Sequence, residues 1–245
     1  MRSLLVILGV LGLFGLGLCG CSKAPGRPVP GEMPAIPGEI SDFSTLYDQN
    51  CAGCHGQEGK GGAAIALANP VYLAIADDST VRHSTASGVP GTSMPAFAQS
   101  SGGMLSDKQI DVIVSGIRKR WSKPDSFHDA VPPPYSSSGP GDISRGSGVY
   151  ATYCSSCHGV AGRGGQKASS IVEGSFLALV SDQGLRTIVI AGRPEIGDPD
   201  WRGDIPGKPM SAQDVSDVVA WLASQRPKFP GQPFPTTAKV MGEIR

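Results

Sequence analysis

Cys51-Ala52-Gly53-Cys54-His55 is the stretch around which this 245-residue chain is organised, and Cys154-Ser155-Ser156-Cys157-His158 repeats its pattern. In each copy two residues separate a pair of cysteines, and a histidine follows directly. A tyrosine, Tyr47 or Tyr150, precedes the first cysteine by four residues, and a glycine-rich stretch follows the histidine. The motif and its flanks therefore occur twice in one chain.

Cys-x-x-Cys-His is the attachment signature of c-type haem. Two thiols on one helical turn form thioethers to the vinyl groups of one porphyrin, and the adjacent histidine lies under the iron as its ligand. The sequence therefore predicts two covalently bound haem c groups. Cys51 and Cys54 would hold the first, with His55 as the metal ligand, and Cys154 and Cys157 the second, with His158 as the metal ligand.

Three other uses of Cys-x-x-Cys pairs explain the sequence less well. The pairs of a zinc site usually lie about 12–20 residues apart, whereas 102 residues separate Cys51 from Cys154. A thioredoxin-like redox pair needs a strand–helix context that the sequence lacks. Disulfides form readily in exported proteins. None of these uses accounts for a histidine directly after both second cysteines.

Residues 1–20 are predicted to be a lipoprotein signal peptide, because one arginine precedes an apolar run that ends in small residues. Leu18-Cys19-Gly20-Cys21 resembles a bacterial lipobox, and Cys21 is the predicted lipidation site, since Leu18 fits poorly just before a cleavage point. An uncleaved anchor helix is the alternative. In either case we expect attachment to a lipid membrane on its periplasmic side. All four cysteines after Cys21 belong to the two motifs.

The rest of the chain divides by composition. We predict a Pro/Gly-rich tether at 21–40, a first domain at 41–122, a Pro-rich linker at 123–144, a second domain at 145–226 and an extended C-terminal arm at 227–245. The linker is expected to keep the two domains as separate bodies that lie close enough for electrons to pass between them. Charges balance, with 21 basic and 21 acidic residues, which argues against a nucleic-acid partner.

The internal repeat continues beyond the motifs. At a constant offset of 104, Tyr72 matches Phe176, Arg82 matches Arg186, Gly88 matches Gly192 and Pro90 matches Pro194. Each half closes with a predicted helix, capped by Ser106 or Ser211, in which apolar residues recur at i, i+3, i+4 and i+7. These residues are Ile110, Ile113, Val114 and Ile117 in the first half, and Val215, Val218, Val219 and Leu222 in the second. We expect each closing helix to pack against the helix that carries the cysteines.

On these motifs, both halves resemble class I cytochrome c domains over residues 41–122 and 145–226. The resemblance implies an all-α fold, made of two tandem class I cytochrome c domains joined by the Pro-rich linker. In each domain helices would surround one haem, with Cys-x-x-Cys-His on the first helix and a methionine loop before the last.

In the first half, Gly91-Thr92-Ser93-Met94-Pro95-Ala96-Phe97 matches the methionine loop of the family. A thioether from this loop would be the second axial ligand of the iron, so Met94 is the predicted metal ligand. Met104 competes with it, but Met104 abuts the closing helix and no proline follows it.

In the second half the position that matches Met94 is occupied by Asp198. Met210, just ahead of Ser211, is the first choice for the metal ligand there. An open site, or one where Asp198 binds the iron or holds a water on it, is the second choice. His128 in the linker is the third.

Arg82 and Arg186 are predicted to bind haem propionates, because a guanidinium group pairs with a carboxylate through two hydrogen bonds. Exposed surface arginines are the alternative. Trp121 and Trp221, near or within the closing helices, are predicted to be packing residues.

Together these features predict a membrane-anchored dihaem cytochrome that passes electrons between redox protein partners. It resembles the cytochrome subunits of respiratory or photosynthetic complexes, so the partners would be subunits of such a membrane complex. The alternative is a haem enzyme, a peroxidase or a sulfur-compound oxidoreductase, acting at an open second haem. A third possibility is a subunit whose haems only bridge a larger assembly.

Overall fold

The computed structural model describes residues 36–123, 127, 130–203 and 205–228. The predicted signal peptide, Cys21, His128 and most of the C-terminal arm lie outside these residues. The described part of residues 21–40 holds a short 3-10 helix at Pro37–Glu39, within a small N-terminal unit. The described residues from Ile40 onward form a second, compact unit. None of the described helices is long and apolar enough to cross a membrane.

Helices make up the regular structure of the second unit, and within the described residues β-pairing is limited to two isolated bridges. The first half holds α1 (Phe43–Asn50), α2 (Ala52–His55), α3 (Pro70–Ile75), α4 (Asp78–Ser87) and α5 (Asp107–Trp121). The second half holds α6 (Ile143–Tyr153), α7 (Ser155–His158), α8 (Gly174–Leu179), α9 (Asp182–Ala191) and α10 (Ala212–Ser224). The predicted all-α class is confirmed.

The closing helices α5 and α10 begin at the predicted caps. Ser106 and Ser211 each accept a hydrogen bond from the backbone N–H three residues on, and the side chain at that position, Gln109 or Asp214, bonds back to the cap. Such a capping box satisfies two N–H groups that the helix itself leaves unpaired. All eight apolar residues predicted to face the core are buried. Burial of each such side chain contributes about 1.5–3 kcal/mol.

Each closing helix packs against the cysteine-bearing helix of its own half, as predicted. An aromatic pair marks both contacts. Trp121 meets Tyr47 edge to face with ring centroids 5.0 Å apart, and Trp221 stacks on Tyr150 at 4.5 Å. Both tryptophans are buried, which confirms them as packing residues.

The expectation of two separate bodies is wrong, because the linker and both halves pack together. The linker lies on the second half. The Arg186 guanidinium donates to the carbonyl oxygens of Pro134 and Tyr135 at 2.9 and 3.0 Å, and the Gln183 amide donates to the same Tyr135 oxygen at 2.9 Å. These bonds use linker carbonyls that proline-rich chain cannot pair within itself.

Asn69 joins the two halves directly. Its side-chain oxygen accepts hydrogen bonds from the N–H groups of Val71 and Tyr72 at the start of α3. Its side-chain nitrogen donates to the carbonyl oxygen of Ala191, the last residue of α9, at 2.8 Å. One buried amide therefore caps a helix in each half. Nearby, the Arg193 guanidinium donates to the carbonyl oxygen of Gly62 at 2.8 Å.

Asp217 fastens the end of the linker to α10. Its carboxylate accepts the Asp142 N–H at 2.7 Å, the Arg145 guanidinium at 2.8 Å and the Gln213 amide at 2.8 Å. The side chain is almost fully buried. These donors, the arginine first, hold the pKa of Asp217 well below its usual range.

Replacing Asn69 by alanine is expected to lower the free energy of unfolding more than the matched change Glu173→Ala. Both substitutions remove a side chain that caps a helix N-terminus. Only Asn69→Ala also leaves a buried carbonyl without its donor, at a further cost of about 1–3 kcal/mol. Denaturant unfolding of the haem-loaded proteins measures the difference. Equal losses would show that the bond between the halves contributes nothing.

Asp217 should make stability depend on pH. Its pKa is lowered in the folded state, whereas an aspartate in an unfolded chain has a pKa of about 3.9. The stabilisation is therefore fully present above that value and is lost as the pH falls through the lower folded pKa. Asp217→Asn should remove this component, so that wild type and variant differ most above about pH 5. Parallel denaturant titrations measure it, and a difference that is constant down to pH 2 would contradict it.

Candidate haem sites

Each Cys-x-x-Cys-His motif lies at a bend between two helical segments. Cys51 ends α1, with φ −118° and ψ −38°, and Cys154 ends α6, with φ −118° and ψ −28°. The helical hydrogen bonds continue across the bend, from the His55 N–H to the Cys51 oxygen at 3.0 Å and from the His158 N–H to the Cys154 oxygen at 2.9 Å. The two cysteines and the histidine of each motif therefore lie within about one turn of helix.

A backbone carbonyl orients each histidine. His55 Nδ1 lies 2.7 Å from the Ile65 oxygen, and His158 Nδ1 lies 2.8 Å from the Ser169 oxygen. Because a carbonyl oxygen only accepts, Nδ1 carries the proton in both rings. The other nitrogen, Nε2, is then left with a lone pair, as an iron ligand requires.

The surroundings of His55 Nε2 indicate that its lone pair is available to a ligand. Its Nε2 is buried and has no hydrogen-bond partner within the described part of the chain. Burial also lowers the pKa of His55, which keeps the ring neutral. A buried nitrogen without a partner is costly unless a ligand completes it. The residues present therefore fit a haem iron at this position.

Within the described residues, none of the four motif cysteines forms a disulfide. Burial raises the pKa of Cys51 to about 11 and that of Cys154 to about 12. Redox-active Cys-x-x-Cys pairs have lowered pKa values instead. The electrostatics therefore argue against a thioredoxin-like use of either pair.

The turn after each motif is fixed by the tyrosine four residues before it. The Tyr47 hydroxyl donates to the Gly56 oxygen at 2.8 Å, and the Tyr150 hydroxyl donates to the Gly159 oxygen at 2.5 Å. Gly56 has φ +82°, and a Cβ there would lie 1.8 Å from the Lys60 oxygen. The turn thus needs glycine for both its dihedral angle and its close backbone approach.

The two methionine candidates of the first half have different environments. Met94 is half-buried in the loop before α5, and its backbone oxygen accepts the Val89 N–H at 3.1 Å. Met104 is 81% exposed. Met94 stays the predicted ligand, and its placement favours it over Met104.

The two predicted propionate ligands have unlike surroundings. Arg82 forms surface ion pairs with Asp107 and Asp111, whereas Arg186 is buried against the linker. These contacts do not support the expectation of one shared role. Binding to propionates stays a prediction for both arginines.

Sequence reasoning noted Tyr47 and Tyr150 as part of the repeat but missed their role in the turns. It also missed the Ile65 and Ser169 carbonyls and Asn69. Backbone acceptors give no signal in the sequence. Asn69 had one, since an asparagine directly before Pro70 is typical of a helix cap.

Family models match both halves. The model described as "Cytochrome C oxidase, cbb3-type, subunit III" matches residues 38–115, and the model described as "Cytochrome c" matches residues 143–226. The chain consists of two tandem cytochrome c domains. Two domains of this family imply two covalently bound haem c groups, at Cys51/Cys54 and Cys154/Cys157.

The named relatives of this chain are subunits of cbb3-type cytochrome c oxidases and of cytochrome bc1 complexes. The chain is 31% identical over 131 residues to a "Cbb3-type cytochrome c oxidase subunit CcoP" of Azospirillum sp. (strain B510). This match covers 49% of this chain and 39% of the relative. It is 22% identical over 238 residues to a "Cytochrome bc1 complex cytochrome c subunit" of Corynebacterium diphtheriae, over 88% of this chain and 77% of the relative. The match spans 39% of the length of the first oxidase subunit, and 56% of that of a FixP subunit of Sinorhizobium medicae.

Among solved structures, the "reducing HAO-like protein complex Kustc0457/Kustc0458" of Kuenenia stuttgartiensis is 19% identical. The match covers 79% of this chain and 100% of that chain, with a TM-score of 0.41. A likeness at that level carries no argument about function.

Gly56→Ala is expected to reduce haem loading of the first domain, whereas Gly61→Ala should not. The two glycines have similar φ, +82° and +79°, so both alanines are strained. At Gly56 the new Cβ would also meet backbone, whereas at Gly61 no atom of the described residues lies within 4 Å of it. Intact mass and the haem-to-protein absorbance ratio measure loading. Equal loading of the two variants would show that the close approach is unimportant.

Proposed function

We propose that this protein is a membrane-anchored dihaem electron carrier on the periplasmic side of a bacterial membrane. It would act as a subunit of, or a donor to, a respiratory or photosynthetic complex. The observation that carries the proposal is the repeated histidine geometry, in which a backbone carbonyl holds Nδ1 and leaves Nε2 for iron. The relatives named as oxidase and bc1-complex subunits support the same assignment.

Bound haem would supply a one-electron ferric–ferrous couple at each site. The chain's own residues would orient the iron ligands and exclude water from the site. Ile65 and Ser169 fix the histidine rings, so that little reorganisation accompanies a change of charge. Burial of His55 and Cys51 keeps water from the histidine side of the first site. Met94 would complete that site with a thioether.

The contact between the domains supports transfer within one molecule. Asn69 lies between His55 and Met94 in the chain, and Gly62 follows the first motif. Their bonds to Ala191 and Arg193 join the first haem domain to the stretch of the second that leads into the Asp198 loop. A fixed contact of this kind keeps the distance between two redox centres constant, which a flexible linker would not.

A membrane position is part of the proposal. Cys21, which lies outside the described residues, would carry the lipid. The Pro/Gly-rich segment after it would then give the domains reach above the bilayer. Stable anchoring by lipid needs more than one acyl chain.

The rival function, a haem enzyme at the second site, has a specific observation in its favour, namely Asp198 at the position of Met94. The named relatives favour electron transfer instead, since one is named as a subunit of a cbb3-type cytochrome c oxidase and the other as the cytochrome c subunit of a bc1 complex. We therefore propose the carrier.

The full-length protein, matured in a host that attaches haem, should carry two haems by intact mass and take up two electrons in a reductive titration. It should then reduce a soluble single-haem cytochrome c without turning over hydrogen peroxide. The double variant Cys154→Ser/Cys157→Ser should keep one haem and take up one electron.

Sustained peroxide turnover would contradict the electron-carrier function and support the haem enzyme. A matured protein without colour would contradict both functions. Cys21→Ser provides the control for anchoring, because it should move a still red protein from the membrane fraction to the periplasmic fraction.

A further inference from the structure

Asp198 occupies in the second domain the place that Met94 occupies in the first. The Val89 N–H donates to the Met94 oxygen at 3.1 Å, and the Arg193 N–H donates to the Asp198 oxygen at 2.9 Å. A Cβ added at Gly88 would lie 2.8 Å from the Met94 oxygen, and a Cβ added at Gly192 would lie 2.7 Å from the Asp198 oxygen. The two loops therefore share this backbone bond and this close approach, so Asp198 stands at the position of Met94.

Met210 occupies a different place, that of Leu105. The Leu105 N–H donates to the Phe97 oxygen at 2.8 Å, and the Met210 N–H donates to the Trp201 oxygen at 2.8 Å. Leu105 and Met210 are 5% and 8% exposed. Met210 is thus the counterpart of a packing residue and not of the ligand in the first domain.

The position explains why an apolar residue is needed there. Leu105 and Met210 directly precede the cap residues Ser106 and Ser211, and an apolar residue at this point commonly packs against the fourth residue of the helix. Those residues, Ile110 and Val215, are fully buried. Helix packing accounts for Met210 without any iron.

The surroundings of Asp198 point towards the second haem site. The side chain is half-buried, and its carboxylate lies near enough to the Cys154 sulfur to interact with it electrostatically. Cys154 is an attachment point of the second haem. The carboxylate therefore lies within electrostatic reach of that site.

Resting on the proposed function, we infer that Asp198 replaces the thioether at the second haem, so that this site has an oxygen ligand and no methionine. The oxygen is that of the carboxylate or of a water that it holds. A hard oxygen ligand favours ferric iron, whereas a thioether favours ferrous iron. The second site then has the lower potential, and electrons run from it to the first.

Four haem-loaded proteins test this inference by the long-wavelength ferric absorption band of thioether-ligated haem, measured per haem. Wild type should show the band for one of its two haems, and Met94→Leu for none. Met210→Leu introduces the residue that the first domain has at the equivalent position, Leu105, and its band should match that of wild type. Asp198→Met should show the band for both haems and raise the lower of the two midpoint potentials towards the upper.

The inference is overturned if wild type shows the band for both haems, or if Met210→Leu loses half of it. Neither comparison depends on how well Asp198→Met folds. An Asp198→Met protein that loads both haems but shows no added band, with an unmoved lower potential, also overturns it. Haem count and electron uptake are separate readouts, so failure of the inference leaves the proposed carrier function standing.

Electron paramagnetic resonance of the ferric protein separates the two oxygen sources. A direct carboxylate ligand predicts that Asp198→Asn changes the signal of the second haem. A held water predicts that cyanide, which displaces water, binds rapidly at one haem of wild type. A second haem unchanged by both treatments would contradict the inference.

Discussion

The hydrogen bond from His55 Nδ1 to the Ile65 carbonyl is the interaction on which the first domain depends, and His158 with Ser169 repeats it in the second. It sets the tautomer, the ring orientation and the lone pair of Nε2 together. Among the residues that the structure describes, His55 Nε2 is the buried side-chain polar atom left without a hydrogen-bond partner. Such an atom is tolerated where a cofactor completes the structure. The small helices around it, four to fifteen residues long, then gain from the cofactor what their own core does not supply.

The second constraint is the junction between the domains. Asn69 serves two helices at once because an amide has both an acceptor and a donor end. Its counterpart in the repeat, Glu173, caps only its own helix and lies at the surface. A carboxylate has no donor for a second helix, so the two equivalent caps have diverged in function. The two domains therefore differ in their packing contacts as well as in the loops that carry Met94 and Asp198.

Duplication and divergence also explain the ligand loops. The loops around Met94 and Asp198 share the hydrogen bond to the backbone oxygen of that residue and its close approach to Gly88 or Gly192, and neither depends on the ligand side chain. A change of that one side chain alters the chemistry while the fold stays the same. The ion pairs beside it, Arg193 with Glu195 and Arg202 with Asp200, keep the loop of the second domain in place.

The sequence alone determined the two pairs of haem-attachment cysteines, the all-α class and the capped closing helices, because these follow from short-range patterns such as Cys-x-x-Cys-His and the i, i+3, i+4 spacing. The tertiary structure alone decided that the linker packs on the second domain and that Asn69 joins the halves. It also gave Met210 the position of Leu105, where the sequence had favoured Met210 as a ligand. Contacts such as that of Asn69 with Ala191 bridge 122 positions in the chain. No local pattern encodes them, since they depend on which surfaces meet once both domains have folded.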